Sequence, residues 1–190
     1  MTGALTWLDR PPPGPLTAAE DGVDSLAGLR HDGLVGPTPL GEHAAVDLLG
    51  SPEGRASLLR EVLLPGSALA RTTAVWVHTG RLYTRRAELV VPPDERVEGP
   101  AVVHRQYLGP GDVVPIGGVP TTSPLRTAVD LLCFVDETRA VAGTRALIVT
   151  GLDVGAVRDE LLRPGRHRPA RRALGLLTQV ETPPGRRSSS

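Results

Sequence analysis

Lysine and asparagine are absent from this 190-residue chain, and all 21 of its basic residues are arginine. The missing lysine excludes chemistry that needs a primary amine: P-loop phosphate binding, protein-kinase phosphoryl transfer, Schiff-base and pyridoxal catalysis, and nucleases whose catalytic set ends in lysine. The single cysteine, Cys133, allows no intrachain disulfide and no paired-cysteine zinc or redox site. Aromatic residues make up 3% of the chain, too few for a base-stacking platform on single strands or RNA. No apolar run approaches the roughly 18 residues of a membrane span. Residues 1–15 also lack the basic start and apolar stretch of a signal peptide. These absences lead us to expect a cytoplasmic protein in a reducing compartment.

Glycine and proline are abundant, at 22 and 19 residues. That is above the usual combined share of roughly 12% and short of the roughly 25–30% that marks low complexity, so a loop-rich globule is expected. Hydrophobic residues, 40% of the chain, can supply its core. The net charge is zero but unevenly spread: residues 1–60 carry −4, residues 61–162 carry −2 and residues 163–190 carry +6. The C-terminal end is therefore the basic patch of the sequence.

Residues 1–15 read as a flexible, Pro-rich leader. Residues 16–50 hold a short helix from Thr17, with Val23, Leu26 and Leu29 at three-residue spacing, and then a turn-rich stretch with room for one hairpin-like wing. A larger unit spans 51–180, and 181–190 read as a disordered tail. Within that unit RASLLREVLL reads as a helix stopped by Pro65-Gly66. Ser67 can cap a second helix, ALARTTAVWVHT, with Leu69, Thr73, Trp76 and Val77 on one face. Strands are expected at Glu88–Val91, Ala101–Leu108, Val113–Ile116 and Val119–Thr121, and connections this short favour antiparallel neighbours. Ser123-Pro124 makes a helix start, with Leu125, Val129 and Leu132 as its buried stripe. Asp136 and Asp153 can cap two further helices, and a last one follows Pro169 with Ala170, Leu174 and Leu177 on one face. The expected class is α+β: two N-terminal helices, a small, mainly antiparallel sheet and a C-terminal helical group, preceded by a degenerate winged-helix-like segment.

The histidines, His31, His43, His78, His104 and His167, are scattered without metal-ligand spacing. We expect no metal and no cofactor. His78 reads as a structural histidine near a helix end, and Cys133 as a small buried hydrophobe on an apolar helix. Asp94, Glu95 and Glu98 read as a solvated loop, and Gly109-Pro110-Gly111 as a turn between strands. Arg126 and Asp130 stand four apart on one helix, where a pair contributes only about 0.3–0.5 kcal/mol at a surface but can fix the helix if buried. Arg163, Arg166, Arg168, Arg171 and Arg172 form the candidate DNA-binding cluster, with Arg171 and Arg172 directed away from the Leu174–Leu177 face.

Three blocks carry a family resemblance: Thr72-Thr73-Ala74-Val75-Trp76-Val77-His78-Thr79-Gly80, then Glu88-Leu89-Val90-Val91-Pro92, then Gly117 to Leu131 with Ser123, Pro124, Arg126, Thr127 and Asp130. Together they resemble the C-terminal domain of AbiEi-family antitoxins, in the actinobacterial form, from Leu69 to Gln179. The resemblance implies an N-terminal winged helix-turn-helix on promoter DNA and a C-terminal domain that supports repression and opposes a nucleotidyltransferase toxin. The winged module would occupy residues 16–50, which are acidic, so contact with double-stranded DNA is expected through the C-terminal arginines. Relatives that continue into a Vsr-like endonuclease need the lysine missing here, so no such extension is expected. The expected function is a non-enzymatic antitoxin or transcriptional regulator, with neither a membrane nor a small-molecule substrate as partner. The alternative is a stand-alone protein-interaction domain that binds no DNA.

Overall fold

The computed structural model describes residues 23–84, 86–95, 99–163 and 170–182. The Pro-rich leader and nearly all of the C-terminal tail lie outside them. The first helix, α1 (Val23–His31), ends at Gly33, whose φ of 69° turns the chain into a hairpin of β1 (Val35–Pro37) and β2 (His43–Ala45). Two short helices follow, α2 (Val46–Leu49) and α3 (Pro52–Ser57), the latter capped by Ser51 Oγ accepting from the Gly54 amide at 3.1 Å.

The expected helix over RASLLREVLL is interrupted. After α3 the chain drops into a 3₁₀ turn at Arg60–Val62, and Leu58 and Leu59 are both buried. Leu58 and Leu59 stand at the break between the two segments, where both reach the core with Val62, Leu63 and Leu64 packed beside them. Ser67 is not a helix cap either. Its hydroxyl donates to the Leu64 carbonyl at 2.7 Å and accepts from the Leu64 amide at 2.9 Å, closing a turn. The next two residues then form β3 (Ala68–Leu69) before α4 (Arg71–Thr79) begins.

The remaining strands are β4 (Glu88–Val91), β5 (Val102–Arg105), β6 (Val113–Ile116) and β7 (Val119–Thr122). With β3 they form a five-stranded sheet in the order β5-β4-β3-β7-β6. The class is α+β, but this sheet is mixed: β3–β4 and β6–β7 are antiparallel, while β3–β7 and β4–β5 are parallel. Connection length does not decide the pairing here. The two-residue strand β3 sits at the centre and takes both β4 and β7, and β5 adds outside β4. Alternation along β3 serves two packing layers. Leu69 and its register partner Leu89 enter the core beneath Trp76, whereas Ala68 and its partner Val90 pack with Leu108 and Val113.

Four helices complete the fold: α5 (Pro124–Phe134), α6 (Glu137–Val149), α7 (Val154–Leu162) and α8 (Ala170–Glu181). Ser123, Asp136 and Asp153 each accept from amides one turn on, at 3.4, 3.0 and 2.9 Å for the nearest donor. Val75, Leu131, Leu132, Leu147, Leu161 and Leu177 form the common core of this group. Helix α4 lies between it and the sheet, with Thr72 through Val77 all buried. Among the described residues no helix is long and apolar enough to cross a membrane.

Candidate functional site

Ser123 and Pro124 start α5 directly after β7, and this junction places Arg126 under the β5–β6 connection. Four of its guanidinium contacts are defined: Nε donates to Asp130 Oδ2 at 2.9 Å, Nη1 to Asp112 Oδ2 at 2.7 Å and to the Tyr107 carbonyl at 3.0 Å, and Nη2 to Gln106 Oε1 at 2.7 Å. Arg126 is 7% exposed and Asp130 1%. Burial works against the arginine's charge, but Asp130 and Asp112 more than offset it and hold the guanidinium pKa above its ordinary value. Asp112 also accepts from the Gly109 amide at 2.7 Å, so the Gly109-Pro110-Gly111 segment is a turn, with Gly111 at φ 82°. Thr127 anchors the start of the helix by donating to the Thr122 carbonyl at 3.1 Å.

A second polar group lies at the start of α4. The Thr72 amide donates to Glu88 Oε2 at 2.9 Å, the Thr72 hydroxyl donates to the same oxygen, and the Glu88 amide donates to Thr73 Oγ1 at 3.0 Å. His104 Nε2 stands 3.4 Å from Glu88 Oε1. Burial would raise the Glu88 pKa, but the nearby His104 imidazole and the hydrogen bonds from Thr72 outweigh it and hold the carboxyl below the usual carboxylate range. Glu88 thus supplies from a neighbouring strand the cap that Ala70 cannot. Next to it Arg71 opens the helix at φ 48°, in the left-handed region that favours glycine, with its guanidinium 5.1 Å from the centre of the Phe134 ring. Arg71 Nε is buried with no hydrogen-bond partner among the described residues. Sequence reasoning missed Arg71 and Glu88, because neither the φ angle nor a cap from another strand leaves a local signal.

His78 Nε2 lies 2.8 Å from the Thr122 carbonyl, which requires that nitrogen to carry the proton. Burial lowers its pKa, the hydrogen bond to Thr122 opposes that, and Arg55 lowers it further. The Cys133 thiol is buried and pushed up to about 11, first by desolvation and then by Asp130. Among the described residues no group of three or more His, Cys, Asp or Glu side chains could hold a metal ion.

The basic cluster does not form one uniform surface. Arg163 Nη1 pairs with Glu160 Oε2 at 3.0 Å, Arg171 is exposed, and Arg166 and Arg168 lie outside the described residues. Arg172, expected to point away from the Leu174–Leu177 face, is an exposed residue whose guanidinium is nonetheless tied to the fold. It reaches the end of α5, with Nη1 donating to the Leu132 carbonyl at 2.9 Å and Nη2 to the Val135 carbonyl at 2.7 Å.

No family model matches the chain, and no curated protein matches it. Among solved structures it is similar to the RV2827C protein from Mycobacterium tuberculosis, at 20% identity over 86% of this chain and 67% of that one, with a TM-score of 0.47. A likeness of that degree carries no functional argument.

Proposed function

We propose that the chain is a non-enzymatic regulator of the AbiEi antitoxin kind, opposing a nucleotidyltransferase-type toxin and contacting promoter DNA. One observation carries the reading: the three blocks behind the resemblance, far apart in sequence, hold one another. Thr72 and Thr73 of the first exchange hydrogen bonds with Glu88 of the second, and His78 of the first bonds to the Thr122 carbonyl of the third. The buried ion pair of Arg126 and Asp130 fixes one helix to a strand connection, which suits a scaffold better than a reaction centre. DNA contact then rests on Arg163, Arg166, Arg168 and Arg171, without Arg172. The rival reading, a protein-interaction domain without DNA binding, draws support from the exposed Tyr107 and Val149 side chains, each 85% accessible.

The test has two arms. Co-expression with the nucleotidyltransferase-type toxin of a neighbouring gene should restore growth. Titration of the chain with its own promoter fragment should show salt-dependent binding, and Arg171→Ala should reduce the slope of log affinity against log salt by about 0.9. Growth rescue without DNA binding leaves the interaction domain, and failure of both arms removes the regulator reading.

A further inference from the structure

A cleft of about 980 Å³ opens between the β1–β2 turn and the start of α4, walled by Thr38, Thr72, Tyr83, Arg86, Glu88 and Arg139 among others. Its size is that of a small-molecule site. Three features of its wall point to the kind of ligand. Arg139 is exposed and, among the described residues, makes no side-chain hydrogen bond and has one carboxylate neighbour, Asp136, 3.9 Å away. Arg86 is held in place by Nε and Nη2 donating to the Pro100 carbonyl at 3.1 and 3.0 Å, which leaves Nη1 without a partner among the described residues. Tyr83 is 53% exposed, an aromatic ring presented to the cleft and not to the core. A guanidinium with unused donors suits a phosphate or carboxylate, and an exposed ring suits a flat ring on the same ligand.

Polar groups deeper in the wall point the same way. Thr38 is 5% exposed and its hydroxyl has no hydrogen-bond partner among the described residues, a burial that costs roughly 1–3 kcal/mol unless something answers it. Glu88 keeps its charge, so it accepts from ligand N–H or O–H groups and repels an anion. The wall thus carries both kinds of polar group, guanidinium donors on Arg139 and Arg86 and a carboxylate acceptor on Glu88. We infer that this cleft binds a small ring-bearing anion of the nucleoside monophosphate class, through the guanidiniums of Arg86 and Arg139 and the ring of Tyr83. The inference is independent of the regulator reading, since it uses none of the C-terminal arginines.

The full chain is titrated calorimetrically with AMP, GMP, CMP and UMP, and in parallel with adenosine and inorganic phosphate. At least one nucleotide should bind more than tenfold tighter than either adenosine or phosphate. Arg139→Ala and Tyr83→Ala should each weaken that binding about tenfold while the melting temperature stays unchanged, because both side chains are exposed and neither is tied by a hydrogen bond to another described residue. The inference is overturned if no nucleotide binds at millimolar concentration, if inorganic phosphate alone binds as tightly as a nucleotide, or if both variants bind as the parent does.

Discussion

Arg172 donates from Nη1 to the carbonyl of Leu132, forty residues away, and so closes the C-terminal end of α5 from the side of α8. The same device appears twice more. Arg55 donates from Nε to the Val77 carbonyl at 2.9 Å and from Nη1 to Leu49 at 2.6 Å, and Arg145 serves the carbonyls of Gln179, Val180 and Thr182. The last carbonyls of a helix have no intrahelical partner, and a cation there also meets the negative end of the helix dipole. In a chain without lysine, the planar guanidinium can satisfy two or three of these carbonyls at once.

Arg172→Ala should therefore destabilise the protein by about 1–3 kcal/mol, since it strips carbonyls at a helix end of their partner. Arg171→Ala, at an exposed position on the same helix turn, should stay within roughly 0.5 kcal/mol. Urea unfolding of the two variants separates them. Equal effects would mean that the capping contacts contribute nothing to stability, and a loss of DNA binding in an Arg172 variant has to be read against this destabilisation.

The contrast between Arg126 and Arg172 shows what the sequence could reveal. Asp130 lies one helical turn from Arg126, so their pairing follows from spacing; Asp112, Gln106 and Tyr107 lie 14 to 20 residues away, and only the fold brings them in. The caps Ser123, Asp136 and Asp153 were legible for the same reason as the pair. Strand β3 was not: Ala68 and Leu69 carry no period of their own and become a strand because β4 and β7 flank them. The cleft was equally hidden, since its wall draws on the β1–β2 turn, α4, β4 and α6 at once.

Removing Arg126 leaves Asp130 buried beside a vacated position, so Arg126→Ala should cost about 3–5 kcal/mol. Arg126→Lys should recover little of it, because an ammonium cannot span Asp130, Asp112 and Gln106 in their present geometry. Asp112→Asn keeps an oxygen for the Gly109 amide and should cost less than either. Chemical denaturation of the three variants checks the order; a lysine variant as stable as the parent would show that charge alone, and not the fork, holds α5 in place.

His78 makes stability depend on pH in a defined direction. Its pKa in the folded protein is lowered below the usual value of about 6.5, so the unfolded chain binds the proton more readily. The contribution is complete above about pH 6.5 and is lost as the pH falls from there toward the lowered folded value. His78→Gln, which can still donate to the Thr122 carbonyl, should flatten the stability profile below about pH 6.5 relative to the parent. Parallel profiles for the two proteins would show that His78 is not the group responsible.

Two glycines on helices should respond oppositely to alanine. A Cβ at Gly54 would fall 2.2 Å from the Leu48 carbonyl oxygen and 2.9 Å from the Leu48 Cα, both backbone atoms that no rotamer change can move. Helices α2 and α3 approach closely only because this position has no side chain, so Gly54→Ala should cost about 1–3 kcal/mol or more by forcing them apart. Gly28, inside α1, has nothing within 4 Å of its would-be Cβ, and alanine there should stabilise the protein by about 0.5–1 kcal/mol through helix propensity. Thermal unfolding should thus show a lowered midpoint for Gly54→Ala and an unchanged or raised one for Gly28→Ala. A Gly54→Ala protein that melts with the parent would mean that the α2–α3 contact can open freely, and that the hairpin above it is not held against the core through Leu48.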